Sequence, residues 1–363
     1  MTAAQDRLFM EEAIRISRRN KGQTASNPCV GCVIVRDGEI VGRGVTARLG
    51  RPHAEPQALA DAGEKARGAT VYVTLEPCSH FGKTPPCANA LVAAGVARVV
   101  VALTDPDPRV SGRGLGILAE AGIAVESGVM EEEARRMLAP YLTRQTKKRR
   151  HVTLKLAVSA DGMIGVKGDG QVAITGPEAR AEVHRLRAES DAILIGIGTA
   201  IADDPELTVR LPGMEDRSPL RIVLDRDLRL PLTSKLVQTA TAVPVIAVGS
   251  SSPLVRSAGY DERRKALEAS GVEVMEAGSL ADLLTQLGER GINGLMVEGG
   301  AAVADAFLKA GLVDAIALYE GPGEIGSEGI ASPLTRAHIG PEFRLMGESR
   351  FGPDRRFDYE RID

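Results

Sequence analysis

Tryptophan is absent from this chain of 363 residues, and aromatic residues together make up only 3% of it. The hydrophobic fraction of 44% is ordinary for a globular protein, so the cores must be built mainly from Val, Ile, Leu and Ala. A single hydrophobic core rarely extends over so long a chain. The length therefore predicts two domains.

Long apolar runs are also missing, since no stretch approaches the ~18 apolar residues of a membrane span. The N-terminal segment carries acidic and basic side chains at helical spacing, unlike a signal peptide. A net charge of -3 and a pI near 6.1 give no reason to expect nucleic-acid binding. The four cysteines are too few for a disulfide framework. We therefore expect a cytoplasmic protein without nucleic-acid or membrane partners, whose cysteines bind metal or take part in chemistry.

Short hydrophobic runs indicate how the chain is organised. Two strand-like runs flank Asp37-Gly38, which is a strong hairpin signal. Helical and buried-strand patterns then alternate, and this predicts a mixed sheet with helices on its faces. A polar, basic stretch interrupts the pattern at 147–150, where we expect a solvated linker or, as the alternative, a local anion site. A second alternation of strands and helices follows, so the predicted domains are 1–146 and 147–363.

The sharpest pattern combines His53 and Glu55 with Cys78 and Cys87. One imidazole and two thiolates would supply three ligands to Zn²⁺ and leave the fourth position open for water, as a catalytic zinc site requires. Zinc lowers the pKa of that water toward neutrality. Glu55 lies two residues beyond the histidine, where it can reach the water without binding the metal. We predict that Glu55 takes the proton of the water and passes it to the substrate.

The order of these residues resembles the H-x-E…P-C-x-x-C signature of zinc nucleobase deaminases. Eight residues separate Cys78 from Cys87, where the signature has two. One alternative is that the histidine and cysteines are unrelated core residues. Another is a structural zinc, which would require a closed site with four ligands. Cys29 and Cys32 form a separate C-x-x-C pair without a second ligand pair, so we expect both to pack in the structure.

Several longer segments carry a family resemblance. The first half contains NPCVGCVIVRDGEIVGRG, RPHAE, YVTLEPCSHFGKTPPC and DPDPRVSGRG, and the second half contains KLAVSADG, AILIGIGTAIADDPELTVR and VEGGAAVADAFLKAGLVD. In this order they resemble the bifunctional riboflavin-biosynthesis deaminase–reductases over nearly the whole chain. The long insert between the two cysteines, ending in TPPC, is typical of that family.

The resemblance implies an α/β protein with an N-terminal cytidine-deaminase-like mixed-sheet domain and a C-terminal dihydrofolate-reductase-like domain. The first domain would use Zn²⁺ to deaminate 2,5-diamino-6-(5-phosphoribosylamino)pyrimidin-4(3H)-one by hydrolysis. The second would use NADPH to reduce the ribosyl group of the resulting uracil to ribityl. We therefore expect small-molecule substrates, and we also expect a homo-oligomer.

The resemblance also implies roles for individual residues. Substrate contacts in the deaminase are expected from Asn27, Ser79, His80 and Lys83. Substrate contacts in the reductase are expected from Arg187, Leu207, Arg210 and Glu298. Contacts to NADPH are expected from Lys155, Ala173, Thr199, Asp203, Arg226, Gly299 and Gly300.

Three of these assignments have a competing interpretation. Lys83 could contact the substrate phosphate or be a solvated loop lysine. Lys155 lies within an apolar strand, where an unpaired charge is costly to bury, so it faces either a polar ligand or a structural ion-pair partner. Arg226 stands where the family usually has Ser, and it could pair with the 2′-phosphate of NADPH or simply be exposed.

Other positions also depart from the family pattern. Ala173 stands where the family has Trp in a stretch like SQWIT, so a contact to the cofactor is lost or replaced. The segment after Tyr319 reads EGPGEIGSEG instead of one like APKLLG. Near the zinc residues, Thr46 replaces a usual His, and Pro56-Gln57 replaces a usual Val-His.

The alternative function is deamination of another nucleobase, with a C-terminal domain that only binds nucleotide. A deaminase acting on tRNA should carry a basic surface, which this acidic chain does not predict. Turnover of the nicotinamide cofactor would distinguish a reductase from a nucleotide-binding module.

Overall fold

The computed structural model describes residues 2–81, 85–168, 170 and 172–362. The chain divides into two compact units, Met1–Lys148 and Arg149–Asp363. Within the described residues, no helix combines the length and the apolar composition that crossing a membrane requires.

The first unit contains one five-stranded sheet. Its strands are β1 (Gly31–Arg36), β2 (Glu39–Val45), β3 (Thr70–Val73), β4 (Arg98–Val101) and β5 (Ala124–Ser127). Its α-helices in the described part are α1 (Ala3–Ser17), α2 (Ala54–Ala62), α3 (Cys87–Ala94), α4 (Arg113–Glu120), α5 (Glu131–Met137) and α6 (Ala139–Lys147). The strand order is β2-β1-β3-β4-β5, with β1 antiparallel to both neighbours and β3, β4 and β5 parallel. This is the mixed sheet predicted from the sequence.

Helices cover both faces of this sheet because side chains alternate along its strands. Val33 of β1 packs in one cluster with Ile16 of α1. Its neighbour Cys32 points the other way and packs in a second cluster with Ala58 of α2. Cys32 is therefore a core residue, as predicted.

Helix α2 lies very close to strand β2. A Cβ atom on Gly44 would lie 2.0 Å from the carbonyl oxygen of Ala54, so only glycine permits this approach. His53 directly precedes α2 and Glu55 lies in its first turn. The close packing thus fixes both residues at one end of the sheet.

The second unit contains a nine-stranded sheet and a separate two-stranded one. Its strands are β6 (His151–Val158), β7 (Met163–Val166), β8 (Ala192–Gly196), β9 (Leu220–Leu224), β10 (Val245–Ser250), β11 (Glu273–Ala277), β12 (Gly294–Glu298), β13 (Ala315–Glu320), β14 (Gly329–Ala331), β15 (Phe343–Phe351) and β16 (Asp354–Arg361). Its described α-helices are α7 (Pro177–Ala188), α8 (Ile197–Asp203), α9 (Lys235–Gln238), α10 (Tyr260–Ala269), α11 (Leu280–Glu289) and α12 (Ala301–Lys309).

The strand order of the large sheet is β11-β10-β9-β8-β12-β6-β13-β16-β15. The strands from β11 to β13 in this order run parallel, and β16 and β15 extend the sheet as an antiparallel hairpin. All five residues of β8 are buried, as expected for a strand covered on both faces. Ligands of parallel α/β sheets bind beyond the carboxyl ends of the strands, where β8 is followed by α8 and β12 ends at Glu298.

The structure differs from the sequence prediction at the expected solvated linker. Helix α6 continues to Lys147, and the next arginines are not simply solvated. Arg149 forms an ion pair with Asp314, with 2.5 Å between Nη1 and Oδ2, and Arg150 is buried. Arg149 and Arg150 are therefore part of the folded second unit and do not form a solvated linker.

Candidate active sites

Three metal-binding side chains converge in the first unit. His53, Cys78 and Cys87 offer ligand atoms that all lie within 4.8 Å of one another. The Nδ1 atom of His53 lies 3.4 Å from Sγ of Cys87 and 3.7 Å from Sγ of Cys78. Tetrahedral zinc with ordinary bond lengths would separate such N and S atoms by about 3.5 Å. The three side chains therefore fit one zinc ion.

Each ligand comes from a different element. His53 is the N-cap of α2, and Cys87 is the first residue of α3. Cys78 follows the end of β3, and its Sγ accepts a hydrogen bond from the backbone N–H of Cys87 at 3.3 Å. Within the described residues, this metal-binding group has three members, as an open catalytic zinc site requires and unlike a closed structural site.

The chemistry of Cys78 also suits a metal. Hydrogen bonding with Cys87 and His53 lowers the pKa of the Cys78 thiol to about 4, against the opposing effect of burial. The thiolate is the form of cysteine that binds zinc.

Glu55 is buried beside this group. Burial, and after it the negative charge of Cys78, raises the pKa of the Glu55 carboxyl to about 7. A carboxyl group with a pKa near neutrality can both accept and donate a proton at working pH. Glu55 therefore has the position and the chemistry of a proton carrier.

Glu76 supports the same site and was missed from the sequence. Its buried carboxylate accepts hydrogen bonds from the backbone N–H groups of Asp105, Gly112 and Gly114 at 3.2, 3.0 and 2.9 Å. These contacts tie the segment before Cys78 to the loop that precedes α4. The Glu-Pro-Cys sequence at a strand end was the available signal.

The predicted pocket residues of the deaminase lie in two places. The side-chain amide of Asn27 packs against Gly50, in the segment that leads to His53. Ser79 follows Cys78 and donates to the carbonyl oxygen of Arg109 at 3.2 Å. Next to it, Nδ1 of His80 is buried with no hydrogen-bond partner among the described residues.

Lys83 lies outside the described residues, so its predicted role stays a prediction.

The loop before α4 adds two charged residues that the sequence analysis did not single out. Arg109 donates to both carboxylate oxygens of Asp107 and lowers the pKa of that carboxyl to about 2. His80 also contributes to this lowered pKa, which places it near Asp107.

A buried ion pair marks the candidate site of the second unit. Arg187 donates to both carboxylate oxygens of Glu298 at 2.8 and 2.7 Å. Burial alone would raise the pKa of Glu298, but the charge and hydrogen bonds of Arg187 lower it to about 2. Two residues predicted to contact the substrate are thus brought together, and each orients the other.

Lys155 lies on the strand next to Glu298, directly opposite it in register. Its Nζ lies 5.8 Å from the centre of the Tyr319 ring. Burial lowers the pKa of Lys155, and the nearby Glu298 charge opposes that effect. In the described part of the chain, Lys155 forms no ion pair within 4.0 Å.

The segment after β8 carries further predicted contacts. Thr199 lies in α8 beside the glycine pair, since a Cβ atom on Gly300 would be 2.8 Å from its Oγ1. Asp203 ends the same helix. The following loop leads to Leu207, which is buried, and to the more exposed Arg210. Gly299 adjoins Gly300, the residue directly before α12, and both glycines have positive φ angles.

The remaining two predicted cofactor contacts are both exposed. Arg226 is exposed and forms an ion pair with Asp227, with 3.3 Å between Nε and Oδ2. Ala173 is exposed in the segment before α7. Gln171, two residues before Ala173, lies outside the described residues.

Both halves of the chain match known protein families. Residues 3–103 match the family described as the cytidine and deoxycytidylate deaminase zinc-binding region, and residues 150–355 match the RibD C-terminal domain. The chain is 43% identical over 328 residues to the riboflavin biosynthesis protein RibD of Aquifex aeolicus, covering 90% of this chain and 89% of that protein. It is 41% identical to the RibD protein of Escherichia coli, covering 96% of this chain and 98% of that protein.

Solved structures resemble the whole chain as well. RibD of Acinetobacter baumannii is 38% identical with a TM-score of 0.86, and the match covers 100% of both chains. A deaminase/reductase from Thermotoga maritima is 32% identical with a TM-score of 0.84, and the match covers 99% of both chains. These likenesses confirm the predicted fold class in both halves. The chain therefore belongs to the RibD family of riboflavin biosynthesis proteins.

Proposed function

We propose that the chain catalyses two successive steps of riboflavin biosynthesis. The first is zinc-dependent hydrolytic deamination of 2,5-diamino-6-(5-phosphoribosylamino)pyrimidin-4(3H)-one. The second is reduction of the ribosyl group of the resulting uracil to ribityl by NADPH. The observation that carries this proposal is the open His53, Cys78, Cys87 group beside the buried Glu55, in a chain whose second half is a RibD reductase domain.

Residues 1–146 form the proposed deaminase domain and 147–363 the proposed reductase domain. We also propose that the protein is a cytoplasmic homo-oligomer without a nucleic-acid partner. The net charge of -3 supports the last point, because nucleic-acid binding relies on clustered positive charge.

In the deaminase, His53, Cys78 and Cys87 would hold the zinc. A zinc ion bound there lowers the pKa of a water molecule to about 7, which makes a nucleophile available at working pH. Glu55 would take a proton from the attacking water and deliver it to the ring nitrogen. It would then take a second proton, from the hydroxyl group added to the substrate carbon, and deliver it to the departing amine. Its raised pKa matches that double task. Asn27, Ser79, His80 and Lys83 would orient the substrate.

In the reductase, the chain supplies binding and orientation, and NADPH supplies the hydride. Arg187, Glu298, Leu207 and Arg210 would contact the pyrimidine ribosyl phosphate. The expected cofactor contacts are Lys155, Ala173, Thr199, Asp203, Arg226, Gly299 and Gly300. The Arg187–Glu298 pair stays ionised over the working pH range, since the Glu298 pKa is about 2.

The substitution Glu55→Gln tests the proposed proton transfer. It keeps the size of the side chain but removes its proton-carrying group, so ammonia release should fall by about a hundredfold or more. Zinc content should stay unchanged, and NADPH oxidation with the deaminated uracil supplied should continue. The exposed Glu64 provides a control, because Glu64→Gln should change neither reaction. Ammonia release above roughly a tenth of the wild-type rate would overturn the role of Glu55.

A further inference from the structure

Arg221 is the largest side chain of the chain's described part that is completely buried. It lies near the start of β9, the third strand from one edge of the large sheet. Burying a charge is costly unless it is compensated by hydrogen bonds or an opposite charge. An arginine at this position is therefore expected to do more than fill the core.

The guanidinium group of Arg221 forms hydrogen bonds to two separate segments of the chain. Its Nη1 donates to the carbonyl oxygen of Glu206 at 3.0 Å and to Oγ1 of Thr239 at 2.8 Å. Its Nη2 donates to the carbonyl oxygens of Thr239, at 3.1 Å, and Val243. All four acceptors are uncharged. The guanidinium group thus joins the segment after α9 to the loop at residues 204–210.

The loop at 204–210 has a backbone that needs support. Asp204 and Leu207 adopt left-handed backbone conformations with φ of 39° and 55°. Such conformations are unfavourable for residues other than glycine and persist when the surroundings hold them. The contact from Arg221 to Glu206 lies between these two strained residues.

The same loop reaches the buried ion pair of the reductase site. The carbonyl oxygen of Thr208 accepts a hydrogen bond from Nη1 of Arg187 at 3.4 Å. It also lies 3.1 Å from Nδ1 of His184. Arg187 in turn binds Glu298. One side of the loop is therefore fixed by Arg221, and the other side contacts the residues expected to bind substrate.

We propose that Arg221 is a positioning residue for the reductase. Its guanidinium group fixes the loop at 204–210 so that Leu207 and Arg210 meet the pyrimidine substrate and Thr208 supports Arg187. The inference rests on the proposed reductase function. A role in packing alone would not require arginine, because apolar residues of similar size replace buried charged groups without loss of stability in other proteins.

The test compares Arg221→Met and Arg221→Lys with the control Thr239→Val. Thr239→Val removes an acceptor of Arg221 but leaves the bond to Glu206 in place. For each protein, KM and kcat are measured with the deaminated uracil and NADPH, together with the KM for NADPH and the Tm. Arg221→Met should raise the KM for the uracil by about ten- to a hundredfold. Its KM for NADPH should stay within about twofold of the wild type.

The remaining variants make the result decisive. Arg221→Lys keeps the charge but loses the forked geometry, so its KM for the uracil should lie between those of wild type and Arg221→Met. If Arg221→Met does not fold, the KM of Arg221→Lys for the uracil tests the inference instead. Thr239→Val should lower the Tm without changing the KM for the uracil.

Folded Arg221 variants with wild-type KM for the uracil would overturn the inference. So would an equal rise in both KM values, which a purely structural role would give. Wild-type protein that does not oxidise NADPH with the uracil would instead overturn the proposed reductase function.

Discussion

Two buried glutamates show how surroundings set the chemistry of a side chain. Glu298 is held ionised by Arg187, and its pKa lies at about 2. Glu55 has thiols and an imidazole as neighbours, and burial raises its pKa to about 7. The first glutamate is therefore suited to binding and the second to proton transfer.

The grouping of His53, Cys78 and Cys87 was predictable from the sequence, because a zinc site constrains the residue types that form it. The role of Arg221 was not predictable, because most of its hydrogen-bond partners are backbone carbonyl groups, which every residue carries. Glu76 stands in the recognisable Glu-Pro-Cys sequence, but that sequence does not show that its carboxylate accepts backbone N–H groups.

The substitution Cys87→Ser tests the ligand set. A hydroxyl is a much poorer zinc ligand than a thiolate, so the purified variant should contain less than about a tenth of an equivalent of zinc. Metal analysis of the purified protein measures this directly. Cys29→Ser is the matched control, since Cys29 is buried, is not one of the three side chains of the metal group, and donates a hydrogen bond to the carbonyl oxygen of Ser17. Full zinc content in Cys87→Ser would remove Cys87 from the ligand set.

At the scale of elements, two departures from the family pattern lie against each other. A Cβ atom on Gly321, in the EGPGEIGSEG segment that departs from the family pattern, would lie 2.0 Å from the carbonyl oxygen of Ile174. Ile174 follows Ala173, the position where the family usually has Trp. The same segment is anchored by Gly176, whose N–H donates to the buried carboxylate of Asp354 at 2.7 Å. Close backbone packing thus fixes the segment in which the Trp is missing.

The substitution Gly321→Ala should disturb this packing. The added methyl group must displace Ile174 and its neighbour Ala173, so we expect the KM for NADPH to rise by about tenfold. Ammonia release should not change. Gly323→Ala is the control, because nothing lies within 4 Å of a Cβ atom there. Steady-state kinetics that show the same KM for NADPH in both variants would contradict this account of the segment.

Elements differ in how well the sequence predicted them. Buried strands such as β8 were predicted because they are short runs of apolar residues. The hairpin of β15 and β16 was not predicted. Most residues of β15 are exposed, so its sequence lacks the alternation that marks a half-buried strand. The hairpin is held in place by backbone pairing between β13 and β16. These strands are far apart in the sequence, so local sequence patterns do not reveal the pairing.

At the scale of the whole molecule, one chain carries two units with separate sheets and separate candidate sites. The number of domains was predictable from length and from the break in the strand and helix pattern. The alternative was a deaminase for another nucleobase with a C-terminal domain that only binds nucleotide. It is not supported, since the similarity to RibD proteins extends over both halves.

The central claim is that both halves act in sequence on one substrate. The direct measurement is the absorbance of NADPH with purified, zinc-loaded protein and the diaminopyrimidine ribosyl phosphate as sole substrate. NADPH should be oxidised by the wild type. The Glu55→Gln variant should oxidise it only when the deaminated uracil is supplied. Ammonia release by the wild type without any oxidation of NADPH would contradict the claim.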